Sequence, residues 1–168
     1  MSTITLFQRL LGIALLRAGP QDLPCSAALM GAAIAATAAI NLPVIQRFTP
    51  QAEPLVQIGL LVAYSLAFLG LALWLRGHGA RFVQTATALF GTDALISMVA
   101  LPVLLVIGRP DDANALGALA FLGLLIWNIA VVSHILRAAL SVGGAVSLVA
   151  SLGYIFGASA FVRLVSGV

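Results

Sequence analysis

"FVQTATALFGTDALISMVALPVLLVI", residues 82–107, decides the fold. As a helix it is about 39 Å long at 1.5 Å per residue, and a bilayer span takes about 20 apolar residues. Its only ionisable side chain is Asp93. Apolar runs of the same kind cover 25–45, 55–75, 114–136 and 140–165. The chain is therefore expected to be all-α, a polytopic transmembrane bundle of five spans over 25–168, with 1–24 as an N-terminal helix and linker.

Composition agrees with that class. The 168 residues are 62% hydrophobic and 8% charged, with mean hydropathy +1.15, whereas soluble domains carry roughly 25% charged residues. Too few polar residues are present to cover a soluble surface. The net charge of +3 comes from eight basic residues, all of them arginine. They stand singly at the ends of apolar runs, which marks interfacial anchors and topology signals and not a nucleic-acid surface. One cysteine, Cys25, excludes an internal disulfide and reads as a small residue at the start of the first span. The histidines, His78 and His134, stand far apart, so no metal-ligand spacing is present, and no nucleotide-binding motif occurs.

The connecting segments carry turn residues. "NLPVIQRFTPQAEP" (41–54) holds Pro43, Pro50 and Pro54; "RGHGAR" (76–81) is a tight glycine-bearing turn; "GRPDDAN" (108–114) sets Pro110 before Asp111 and Asp112, a good helix start. The last connection lies around "LRAALSVGG" (136–144) and ends in two glycines. Short links imply antiparallel neighbours in a compact bundle, with no soluble domain appended. In "GAAIAATAAIN" (31–41) the small side chains permit close helix approach, and Asn41 with Pro43 predicts a kink or an early end to the first span.

Within "STITLFQRLLGIALLRAGPQDLP" (2–24), Thr5, Gln8, Arg9 and Gly12 share one helical face, and Ile4, Phe7, Leu11 and Leu15 another. That pattern predicts an amphipathic helix lying in the membrane interface, ended by Pro20 and Pro24. Arg9 interrupts the apolar stretch and no cleavage-site pattern follows, which argues against a signal peptide. With five spans, Arg9, Arg17, Arg76, Arg81 and Arg137 fall on one side as interfacial anchors, and Arg47, Arg109 and Arg163 on the other. The arginine bias predicts a cytoplasmic N-terminus. The alanine-rich, lysine-free composition points to a bacterial inner membrane.

Asp93 stands about 16 Å into its span, where an ionised side chain costs about 2.5–3.5 kcal/mol on translocon scales. Ala86, Phe90, Ser97 and Ala100 share its face, and Asn128 lies at similar depth on the fourth span. The plain reading is a carboxyl paired with Asn128 or Ser97 that holds helices in register. The functional readings are proton or ion handling and contact with a partner's buried cation. His134 lies near an inner boundary on a face with Gly123 and Trp127, suited to a partner or headgroup contact. Gly153 and Gly157 form a small-residue stripe for helix packing, and Gly123 offers another smooth surface.

The layout resembles that of bacterial Yip1-like membrane proteins. The points of similarity are "LLRAGPQDLP" (15–24) leading into five closely spaced spans and "RFVQTATALFG" (81–91) opening the third. The acidic-aromatic "DLYGP"-type motif of eukaryotic members is absent, which speaks against a trafficking role. The resemblance implies a non-enzymatic scaffold with no cofactor.

No nucleophile–base pair stands out, so neither catalytic, cofactor-binding nor metal-binding residues are expected. The leading expectation is an accessory, assembly or scaffold subunit whose partners are the lipid bilayer and other integral membrane proteins, further copies of itself included. The second is a transporter or channel subunit with Asp93 in a proton or ion path, although no inverted repeat is visible.

Overall fold

A computed structural model describes residues 3–48, 53–107 and 115–166. Among these residues every regular element is helical: α1 (Thr3–Ala14), α2 (Ala27–Phe48), α3 (Pro54–Leu75), α4 (Phe82–Ile107), α5 (Ala115–Leu140) and α6 (Gly144–Ser166), with single 3-10 turns at Pro20–Asp22 and Gly79–Arg81. Helices α2 to α6 are each long and apolar enough to cross a bilayer, which makes the chain an integral membrane protein. The helix start expected in "GRPDDAN" lies outside the described residues.

Three span boundaries differ from the sequence reading, one of them the start of α6, at Gly144 in place of 140. Helix α2 runs on through Asn41 and Pro43 to Phe48. Lipid gives the backbone no alternative partner, and neighbouring helices carry the turns around a proline. Asn41 itself is tied down, donating from Nδ2 to Thr37 O at 3.0 Å. Helix α5 continues past position 136 to Leu140, because the turn between α3 and α4 satisfies its last carbonyls. Arg81 Nη1 donates to Ala138 O at 3.2 Å and Ala139 O at 3.3 Å, and Arg76 Nε to Leu140 O at 3.4 Å.

Three helices end in the same way. Leu16, Gly77 and Ser141 adopt left-handed backbone, with φ of 61°, 68° and 53°. The following amides reach back across the last turn, Arg17 N to Gly12 O at 2.8 Å, His78 N to Leu73 O at 2.8 Å and Val142 N to Arg137 O at 3.3 Å. This is the Schellman arrangement, which takes up carbonyls that would otherwise lack partners. It ends α1 at Ala14, ahead of the proline at 20.

Helix α4 is the centre of the bundle and packs against α1, α2, α3 and α5. Its inner turns carry Thr85, Ala86, Thr87, Ala88, Thr92 and Ala94, all buried. Small side chains let neighbouring helices approach closely. The hydroxyls need no external partner, because each bonds the carbonyl one turn back: Thr85 to Arg81 O at 2.8 Å, Thr87 to Val83 O and Thr92 to Ala88 O at 2.7 Å. Around α4, one cluster joins Leu69 and Leu73 of α3 to Leu136 and Leu140 of α5. Across α3 and α6, the rings of Tyr64, Phe68, Tyr154 and Phe161 pack with centroids 5.3–6.1 Å apart.

Helix α1 leans on the bundle. Ile13 is buried with Ala88, Ile96, Val131 and Ile135, and Leu6 and Leu10 pack beside them. Leu10 fills the space that a side chain at Gly91 would need, about 13 Å along α4 from Phe82. The outward residues Ile4, Phe7, Leu11 and Leu15 are apolar and exposed, a surface suited to lipid. Trp127 Nε1 donates to Ala14 O at 2.9 Å, and His134 Nε2 lies 2.9 Å from Ala18 O. Gln84 Nε2 donates to Leu23 O at 2.7 Å, holding the linker to α4.

Two outcomes follow from this packing. A methyl group at position 157 would overlap the Tyr64 hydroxyl, so Gly157→Ala should lower the thermal stability of the detergent-purified protein by about 1–3 kcal/mol. Adding Tyr64→Phe should recover most of that loss in the same melting measurement. Trp127→Phe should release the end of α1, read as faster amide exchange over residues 3–18 with exchange in α4 unchanged.

Candidate functional site

The midplane carboxylate is held by the second helix. Asn41 Nδ2 donates to Asp93 Oδ2 at 3.2 Å, and Ser97 Oγ donates to Asn41 Oδ1 at 3.1 Å. One turn earlier, Thr37 Oγ1 donates to Phe90 O at 2.6 Å. Together these bonds clamp α2 against α4. The expected Asp93–Asn128 pair does not form: Asn128 faces the same space without a hydrogen bond to another described residue. Ser97 reaches the carboxylate only through Asn41.

Beside Asp93 lies a chamber of about 220 Å³ to which all five long helices contribute. Its polar lining comes from Thr37 and Asn41 of α2, Ser65 of α3, Thr92 and Asp93 of α4, Asn128 of α5 and Tyr154 of α6. Aliphatic residues, Ile45 and Ile58 among them, complete the wall. Both stand near the α2–α3 connection, so the chamber extends from mid-bundle toward that end. The described lining contains no arginine or histidine.

The hydrogens on its hydroxyls are already committed. Ser65 Oγ donates to Leu61 O at 2.7 Å. A hydroxyl has one proton, so the 2.7 Å contact between Ser65 Oγ and the Tyr154 hydroxyl is a donation from Tyr154. Thr37 and Thr92 donate to helix carbonyls, and both amide hydrogens of Asn41 are used. Asp93 Oδ1, by contrast, accepts no hydrogen bond from a described residue. The chamber thus presents free acceptors, and the Asn128 amide is its one unspent side-chain donor among the described residues.

The other residues singled out from sequence lie elsewhere. His134 bonds the linker after α1, with Trp127 on the same face; the surface expected to meet a partner is covered by the chain's own N-terminal segment. Gly153 accepts from the Tyr64 hydroxyl at 3.3 Å, and Gly157 lies against the same side chain, so both serve α3–α6 packing. Gly123 faces outward, and a methyl group there would meet no other side chain within 4 Å. Arg9 bonds Asp22 O, Arg76 and Arg81 cap α5, and Arg17, Arg137 and Cys25 are exposed. Among the described residues no three His, Cys, Asp or Glu side chains gather as metal ligands.

Sequence reasoning missed Asn41, Tyr154 and Ser65. Depth would have found Asn41, about 21 Å along α2, level with Asp93 about 16 Å along α4, since alternate spans start from the same side. Removing the clamp with Asn41→Leu should destabilise the protein by about 1 kcal/mol, measured by thermal melting in detergent. Asp93→Asn keeps an acceptor for Asn41 and should remain near the wild-type melting temperature.

The chain matches no protein-family model, and neither the curated proteins nor the solved structures give a significant match to it.

Proposed function

We propose that this integral membrane protein is non-enzymatic and acts as a transporter or channel subunit, binding a small solute or ion in the chamber around Asp93. The carrying observation is the chamber itself: all five spans contribute to it, and one oxygen of its carboxylate has no partner among the described residues. A carboxylate kept only to hold helices would be consumed by them. A buried ionisable group beside unfilled space in a bundle is the ordinary form of an intramembrane binding site. Against the catalytic alternative, His134 is tied to the linker and the described chamber lining includes no nucleophile–base pair.

A second reading, the accessory or scaffold subunit, draws on the outer face of α2. Ala28, Gly31, Ala32, Ala35, Ala36 and Ala39 are all exposed, while Met30 and Ile34 face the core. Lateral association in lipid is driven by close packing on such surfaces. A Yip1-like affiliation belongs with this reading and rests on the layout of spans. A bacterial inner membrane and a cytoplasmic N-terminus complete the proposal, supported by composition and by the arginines.

Mild-detergent purification followed by reconstitution separates the two. The chamber reading expects proteoliposomes of the purified chain to pass a small ion or solute, with the flux lost in Asp93→Asn. Recovery of a stoichiometric larger membrane partner, with no flux from the chain alone, would favour the accessory role.

A further inference from the structure

We infer that the chamber around Asp93 takes a compact organic ammonium ion, a primary amine head on a short aliphatic body. The inference rests on the chamber reading above and adds the chemistry of the occupant. A ligand must complement what the lining leaves unused. Hydroxyl hydrogens of Thr37, Ser65, Thr92 and Tyr154 are spent inside the bundle. What these lining residues leave unused is Asp93 Oδ1, the lone pairs of the Tyr154 and Thr92 oxygens, and the Asn128 amide. A lining rich in acceptors calls for a ligand rich in donors. An ionised carboxylate with no described cation in its lining calls for positive charge from its ligand. A primary ammonium supplies both, with three N–H donors on one charged atom.

Size and wall chemistry separate it from a bare metal ion. The volume, about 220 Å³, exceeds an apolar cavity of about 150 Å³ that accommodates benzene. A calcium-sized ion needs several oxygens closing around it at about 2.3–2.6 Å, whereas much of this wall is aliphatic, including Val62, Val131, Val132 and Ala158. The ammonium head sits at Asp93 and Asn128, and the hydrocarbon body lies along the aliphatic wall toward Ile45 and Ile58. The Tyr154 ring borders the same space and offers a favourable surface to a cation.

The test uses the whole chain purified in detergent and treated with diisopropylcarbodiimide, an apolar reagent that modifies carboxyl groups. Labelling at Asp93 is followed as loss of the unmodified peptide mass, which counts N-acylurea and N-butyl amide products alike. n-Butylammonium chloride should protect Asp93 saturably, slowing labelling about tenfold at about ten times its half-saturating concentration. Sodium chloride at equal ionic strength and n-butanol should not protect. The same amine should raise the melting temperature of the wild-type protein but not that of Ala158→Phe, which fills the chamber and leaves Asp93 in place. Equal protection by butanol, protection by sodium, or no protection at all would overturn the ammonium assignment while the accessible chamber stands. Failure of Asp93 to label under any condition would overturn the chamber reading itself. A melting shift that survives in Ala158→Phe would place the binding elsewhere and overturn the inference.

Discussion

Lipid offers no water to a stranded polar group, and the arrangement of this bundle follows from that constraint. The helix that buries three threonines is the one most enclosed. Thr85, Thr87 and Thr92 return their protons to the carbonyls of their own helix, so α4 can sit at the centre without requiring partners from every neighbour. The polar groups that remain tie pairs of helices: Asn41 with Asp93 for α2 and α4, Ser65 with Tyr154 for α3 and α6, and Ser133 with Ser147, 3.1 Å apart, for α5 and α6. Each bond is worth little alone, on the order of 0.6 kcal/mol. Their value lies in register, because a helix that slides leaves a donor bare in hydrocarbon.

The chamber is where that economy is incomplete. Its hydroxyls are satisfied, and one carboxylate oxygen has no partner among the described residues. Thr37, Asn41, Ser65 and Thr92 around this space are held by bonds to backbone carbonyls and not to whatever occupies it. A ligand bound in such a framed, donor-poor space would be selected by charge and shape with little rearrangement, the condition under which binding spends least on ordering.

Much of the fold was legible before any coordinates. Period and length of the apolar runs placed all five long helices, because hydrocarbon thickness sets a minimum that chance rarely meets. The errors fell at ends and partners. Arg137 looked like a boundary, yet Arg76 and Arg81 cap three carbonyls beyond it, a contact invisible without the turn between α3 and α4. Asp93 was found by being the lone charge in its span, whereas its partner was sought on the wrong helix. Asn41 resembled a helix breaker next to Pro43, and its role depends on depth relative to another span. The amphipathic pattern of α1 named two faces and overlooked a third, Leu6, Leu10 and Ile13, which meets the bundle. Gly157 was recognisable as a packing site, but that a tyrosine fills the notch required the register of α3 against α6.

The seat of α1 has a consequence for biogenesis. Its carbonyl at Ala14 is bonded by Trp127, 113 residues later in the chain. At about 5–20 residues per second of translation, α1 waits roughly 6–23 s before its docking groove exists. During that interval its apolar surfaces must be sheltered by lipid or by the insertion machinery. Closure of the N-terminal segment therefore comes late in assembly, and it reports that α4 and α5 have already met.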